Sequence, residues 1–180
     1  MQIMVAKTGL EIFDACRAYG LGVLWNALND DEDVYITDSG AFYVVESDEP
    51  LANKIDLSKP SVSELFITEK DSGLGWLPMF ITYKSGWLAQ VEAVKQALMN
   101  CWNKVVSSSI LEAQIGTAEE KTMPGGLDPI AMKGLKGKTL TDCKGKGQQT
   151  KVDALNWALG CVGGAAVSYT HLTLPTTERV

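Results

Sequence analysis

Val34-Tyr-Ile-Thr-Asp-Ser-Gly-Ala-Phe-Tyr-Val-Val45 places two runs of β-branched and aromatic residues on either side of a short glycine-containing turn. Such runs favour strands, and a brief polar link between them favours an antiparallel hairpin. Helical periodicity flanks the hairpin on both sides, so the expected fold class is α+β. About three main helices should pack on a small antiparallel sheet that includes the hairpin.

N-terminal to the hairpin, Thr8 and Glu11 stand at capping-box spacing ahead of an apolar-rich run from residue 10 to 28, which predicts a helix. Ile12, Phe13, Ala15, Cys16, Tyr19, Val23, Leu24, Trp25, Ala27 and Leu28 cover more than one of its faces, so neighbours are expected on two sides. Gly20 and Gly22 inside it each weaken a helix by up to about 1 kcal/mol relative to alanine. Either another backbone packs closely there or the helix bends. Asp14 and Arg17, three apart, read as a local ion pair worth a few tenths of a kcal/mol.

C-terminal to the helix, Asn29-Asp-Asp-Glu-Asp33 reads as a solvated turn, since its charges repel in a compact setting and the alternating ligands of an EF-hand are missing. Residues 46–60 are acidic and turn-rich and predict a surface loop. Residues 64–68 fit a short strand or a helical turn, and residues 77–83 fit a strand kept to an edge by Pro78. From Trp87, the apolar residues Leu88, Val91, Val94, Ala97, Leu98, Cys101, Trp102 and Val105 recur at three and four and predict the most amphipathic helix of the chain. A further helical piece is expected over residues 109–115.

Residues 116–149 lose periodicity and are dominated by glycine and lysine. Thr150, with Asp153 three residues on, then predicts an N-cap and a helix through Val152, Leu155, Leu159 and Val162. Its small-residue end, Gly160-Cys-Val-Gly-Gly-Ala-Ala166, suits tight packing. The expected organisation is a core over 1–115, a Gly/Lys-rich loop over 116–149, a helix over 150–167 and a non-native tail over 168–180. The tail, Ser168-Tyr-Thr-His-Leu-Thr-Leu-Pro-Thr-Thr-Glu-Arg-Val180, resembles translated sequencing-adapter read-through at the end of a truncated metagenomic reading frame. On that reading the natural polypeptide continues past about residue 167, and His171, the one histidine, carries no function.

The net charge of −6 is unevenly distributed. Residues 1–71 carry 14 acidic and 5 basic side chains, a net of −9, whereas residues 128–151 carry 6 lysines and 2 aspartates, a net of +4. An acidic total opposes a protein that coats nucleic acid over its whole surface. A local basic segment still attracts phosphates, because screening confines the interaction to about 8–10 Å. Lys133, Lys136, Lys138, Lys144, Lys146 and Lys151 are the expected nucleic-acid-binding residues, following a phosphate backbone without reading base edges.

The same segment does not make a nucleotide site. Gly134-Leu-Lys-Gly-Lys-Thr139 has the lysine and hydroxyl of a phosphate-binding loop, but Met132 stands where the first glycine belongs and no apolar strand leads in. The 4 cysteines, Cys16, Cys101, Cys143 and Cys161, are far apart and lack zinc spacing, and those on predicted helices read as small buried hydrophobes. No pair of side chains has a spacing that sets up acid/base chemistry, and no Gly-x-Ser-x-Gly elbow occurs. The expectation is therefore no enzyme, no cofactor, no metal and no small-molecule substrate. The start of the chain lacks the features of a secretory signal and no segment is long and apolar enough to span a membrane, so a cytoplasmic location is expected.

Thr8-Gly-Leu-Glu-Ile-Phe-Asp-Ala-Cys-Arg-Ala-Tyr-Gly-Leu-Gly-Val-Leu24 resembles the opening of large-subunit proteins of type I CRISPR surveillance complexes, and the aromatic hairpin and the Gly/Lys loop ahead of a Trp-containing helix are in keeping with it. The resemblance covers about a tenth of the chain. It implies a non-catalytic subunit of a crRNA-guided antiviral complex, with DNA or RNA and other subunits as partners. The reading from another class is a protein-interaction or scaffold fragment that touches no nucleic acid.

Overall fold

The computed structural model describes residues 1–30, 32–66, 87–116, 120–123 and 150–173. In chain order these form β1 (Gln2–Ala6), α1 (Glu11–Leu28), β2 (Tyr35–Ser39), β3 (Phe42–Glu46), α2 (Pro60–Glu64), α3 (Trp87–Ser107), β4 (Ile110–Leu111), β5 (Glu120–Thr122), β6 (Lys151–Asp153) and α4 (Ala154–Thr173). The class is α+β, with four helices among the described residues, three of them long.

The principal sheet runs β2-β3-β1-β4 and is mixed. The expected hairpin is present, pairing Tyr35 with Glu46 and Ser39 with Phe42 around Gly40, which has φ +71. β1 adds antiparallel to β3, setting Ile3 opposite Val45 and Val5 opposite Tyr43. β4 then adds parallel to β1 through Met4–Ile110 and Val5–Leu111, so the sheet is not purely antiparallel as expected. Alternation turns Ile3, Val5 and Val45, all fully buried, toward the helices. Gln2, Met4, Ala6, Val44, Tyr35 and Thr37 take the other face.

α1 lies on the inner face of the sheet and packs along α4, which in turn touches α3. Of the two explanations for Gly20, close packing is the one observed. A Cβ there would sit 2.0 Å from the Leu159 carbonyl oxygen, and one on Gly163 would sit 1.8 Å from the Cys16 carbonyl oxygen. The two helices therefore meet backbone to backbone, and the small-residue end of α4 provides one side of the crossing. On α3 the stripe Val91, Val94, Leu98, Trp102 and Val105 is buried as its spacing predicts. Trp102 donates from Nε1 to the Ala52 carbonyl at 2.9 Å, which fastens the long loop before α2.

Several local expectations are corrected. Thr8 and Glu11 form no capping box: α1 begins after Leu10 without a side-chain cap. Asp14 instead accepts from the Thr8 and Gly9 amides at 2.8 and 3.1 Å and from Thr8 Oγ1 at 2.9 Å. The carboxylate reaches the approaching loop because it points off the first turn into the core. Residues 110–111 are a strand rather than a helical piece, recruited by the exposed edge of β1. Glu64 ends a short helix that starts with Pro60 at its first position, where a missing amide forfeits no helical hydrogen bond. Residues 120–122 form a strand inside the stretch expected to be irregular. Thr150 does not cap α4: residues 151–153 are β6, and Asp153 caps instead, Oδ1 accepting from the Asn156 amide at 3.1 Å. Val152 is fully buried in the strand. α4 is described from Ala154 to Thr173. The edge strand expected at residues 77–83 lies outside the described residues.

Candidate nucleic-acid interface

β6 carries the alternation half-buried, buried, half-buried: Val152 enters the core while Lys151 and Asp153 flank it. β5 pairs along one side, with Thr122 opposite Lys151 and Lys121 opposite Val152. Met123, buried, donates its amide to the Thr150 carbonyl at 2.9 Å. That bond joins the two ends of the stretch 124–149. On the other side of β6, Gly116 donates to the Lys151 carbonyl at 3.0 Å and Asp153 donates to the Gln114 carbonyl at 3.0 Å. The short β5–β6 ladder is thus a stem held on both sides.

A buried polar chain ties the stem to the core. The Asp153 carboxylate accepts from the Gln114 amide at 2.9 Å and from Asn156 Nδ2 at 3.0 and 3.1 Å. Asn156, 2% exposed, also donates from Nδ2 to the Glu112 carbonyl at 2.9 Å and accepts from Arg17 Nε at 2.8 Å. Arg17, fully buried, donates from Nη1 to the Ala6 carbonyl at 3.0 Å and to Asp14 Oδ1 at 2.9 Å, and from Nη2 to the Leu111 carbonyl at 3.4 Å. The local ion pair expected from the i, i+3 spacing is present and buried, with 0% and 1% of the two side chains exposed. Burial pulls Arg17 below its ordinary guanidinium value, and the Asp14 carboxylate opposes that pull. Such a pair is tolerable only when further hydrogen bonds satisfy both partners, as they do here. Asp14, Arg17 and Asn156 are buried, and Asp153 is half-buried at the end of the chain of bonds. The cluster is a fastener between β1, α1, the segment after β4, and the start of α4.

Of the residues predicted to meet nucleic acid, Lys133, Lys136, Lys138, Lys144 and Lys146 lie outside the described residues. Lys151 stands half-buried on β6, at the root of the segment that holds the other five. Lys121, not included in the predicted set, joins it on the partner strand with its ammonium 5.6 Å from the Trp157 ring centroid. Its signal in the sequence is its place just before the Pro-Gly-Gly run, at the entry to the basic segment.

The chain is 28% identical over 180 residues to an uncharacterized protein of Archaeoglobus fulgidus, a match that takes in 91% of this chain and 46% of that protein. It spans about half the length of the relative. No family model matches, and no solved structure does.

The thiols fit their expected role as small apolar groups. Cys16 and Cys161 are buried and unpaired, burial pushes Cys16 up to about 11, and it raises Cys161 well above the usual thiol range with a further contribution from Cys16. Cys101 is half-buried, and Cys143 lies outside the described residues. Among the described residues no cluster of three or more His, Cys, Asp or Glu side chains is placed to hold a metal ion. None of their helices is long and apolar enough to cross a membrane.

Proposed function

We propose that this chain is a non-catalytic binding and assembly subunit that meets a nucleic-acid backbone through the lysines of residues 133–151. The observation that carries the reading is the stem. The Met123–Thr150 hydrogen bond brings both ends of the basic stretch to one place, at a ladder that carries Lys151 on one face and Lys121 on the other. Cations tethered to one root reach one stretch of phosphates together, so the entropy of approach is lost once for the set. The hydrogen-bonded set of buried Asp14, Arg17 and Asn156 with half-buried Asp153 supports a positioning role over a reactive one, because its hydrogen bonds are made within the fold. The resemblance of residues 8–24 to CRISPR large subunits gives the setting: a cytoplasmic crRNA-guided complex in antiviral defence, with DNA or RNA and sister subunits as partners.

Fluorescence anisotropy with a DNA duplex across a salt series tests this. The logarithm of affinity should fall linearly with the logarithm of salt. Replacing Lys136, Lys138, Lys144 and Lys146 by alanine should make that slope shallower by about one unit for each phosphate no longer neutralised. Absence of binding at low salt, or a slope unchanged by the four substitutions, overturns the proposal.

A further inference from the structure

The other end of the charge asymmetry falls on a sheet edge that no described strand covers. β2 is the terminal strand of the principal sheet, and on its outer side no described strand pairs with it. Edge strands are commonly guarded by a proline, a bulge or charged residues; Tyr35-Ile-Thr-Asp-Ser39 has no proline, bulge or lysine, and its one charge, Asp38, stands on the face of Ile36 near the far end of the strand from Tyr35. Tyr35 is 60% exposed and Thr37 is exposed beside it on the outer face. Exposed carboxylates gather at the Tyr35 end: Glu32 and Asp33 precede the strand, Glu46 pairs across from Tyr35, and Asp48 and Glu49 follow β3. Of the nearby lysines, Lys7 pairs with Asp38 of β2 itself at 2.6 Å, away from the Tyr35 end, and Lys59 pairs with Asp30 at 2.7 Å.

We infer that the outer edge of β2 docks an extended, lysine- or arginine-bearing strand of another protein. An added strand would satisfy the outward amides and carbonyls of β2, and its cations would meet the carboxylate rim. Charge decides the occupant. A second copy of this chain, pairing antiparallel through the same edge, would set the Tyr35 end beside the Ser39 end and bring no cations to the carboxylate rim, and a nucleic acid would be repelled. This surface is independent of the lysine stem.

The test uses the isotope-labelled full chain and a short synthetic peptide alternating lysine with valine, with its glutamate-for-lysine counterpart as control. Backbone amide shifts and hydrogen-exchange protection are read residue by residue. The lysine peptide should slow exchange at alternate amides of residues 35–39, the glutamate peptide should not, and Tyr35→Lys with Thr37→Lys should weaken binding at least about tenfold in a salt-sensitive manner. Both positions are exposed, so the fold survives the change, as the unaltered shifts of core amides would verify. Shifts scattered over acidic loops without protection of β2 overturn the inference, as does protection of β2 that grows with protein concentration in the absence of peptide. Neither outcome depends on whether DNA binds the stem.

Discussion

Arg17 and Asp14 show how far a residue's role depends on what lies beyond its own helix. Three apart on α1 they look like a solvent-exposed pair of small value, yet both are buried and each is hydrogen-bonded to segments outside α1. Removing one partner leaves the other charge buried without compensation. Arg17→Ala or Asp14→Ala should therefore cost about 3–5 kcal/mol in urea unfolding, an order of magnitude above an exposed pair. The two buried thiols make a separate prediction. A thiol whose folded value is raised contributes stability that is complete below its unfolded value and is lost as pH rises toward the folded one. For Cys16 that window runs from its ordinary value of 9.0 to about 11. The urea midpoint should fall across this range, and Cys16→Ala should show a shallower fall than the parent chain.

At the scale of elements, the sequence is legible where structure is encoded locally. α3 declares itself by its three-and-four apolar stripe, the hairpin by its β-branched and aromatic runs around a glycine turn, and α1 by its long apolar-rich run. β1 does not, as five residues with Met4 among them give no clear alternation or turn signal. β4 is illegible, since its two residues are a strand only because β1 offers an edge more than a hundred positions earlier in the chain. Thr150 and Asp153 are both good capping residues, and the choice between them rests on where Val152 is buried. The glycines of α1 and α4 allow two readings in the sequence, and the backbone crossing decides between them. Gly163→Ala would place its new carbon 1.8 Å from the Cys16 carbonyl oxygen, within a backbone-to-backbone crossing that no side-chain rotation relieves. The helices must separate, and the destabilisation should reach or exceed the roughly 1–3 kcal/mol typical of overpacking. Gly40→Ala meets open space and is penalised only for its left-handed backbone at φ +71, so thermal unfolding should rank Gly163→Ala well below it.

Across the whole molecule, carboxylates surround one end of the hairpin while the basic stretch leaves from the β5–β6 stem, and the buried chain from Asp153 to Asp14 ties that stem to the core. Lysine number and lysine placement then become separable in one experiment. On the proposed DNA-binding reading, the number of phosphates neutralised sets the salt slope, whereas the firmness of the stem sets how much ordering must be done on binding, which moves affinity at every salt concentration alike. Asn156→Ala removes no lysine but strips Arg17 Nε and the Glu112 carbonyl of their partner, at about 1–3 kcal/mol for each buried group left unsatisfied. It should speed hydrogen exchange at Lys151–Asp153 and Glu120–Thr122 more than in α3, because the network joins the stem, not α3, to α1. On a salt series its binding line should run parallel to that of the parent chain and below it, while the four-lysine variant should give a line of different slope. A parallel displacement without faster exchange in the stem, or a changed slope for Asn156→Ala, would separate the network from the placement of the lysines.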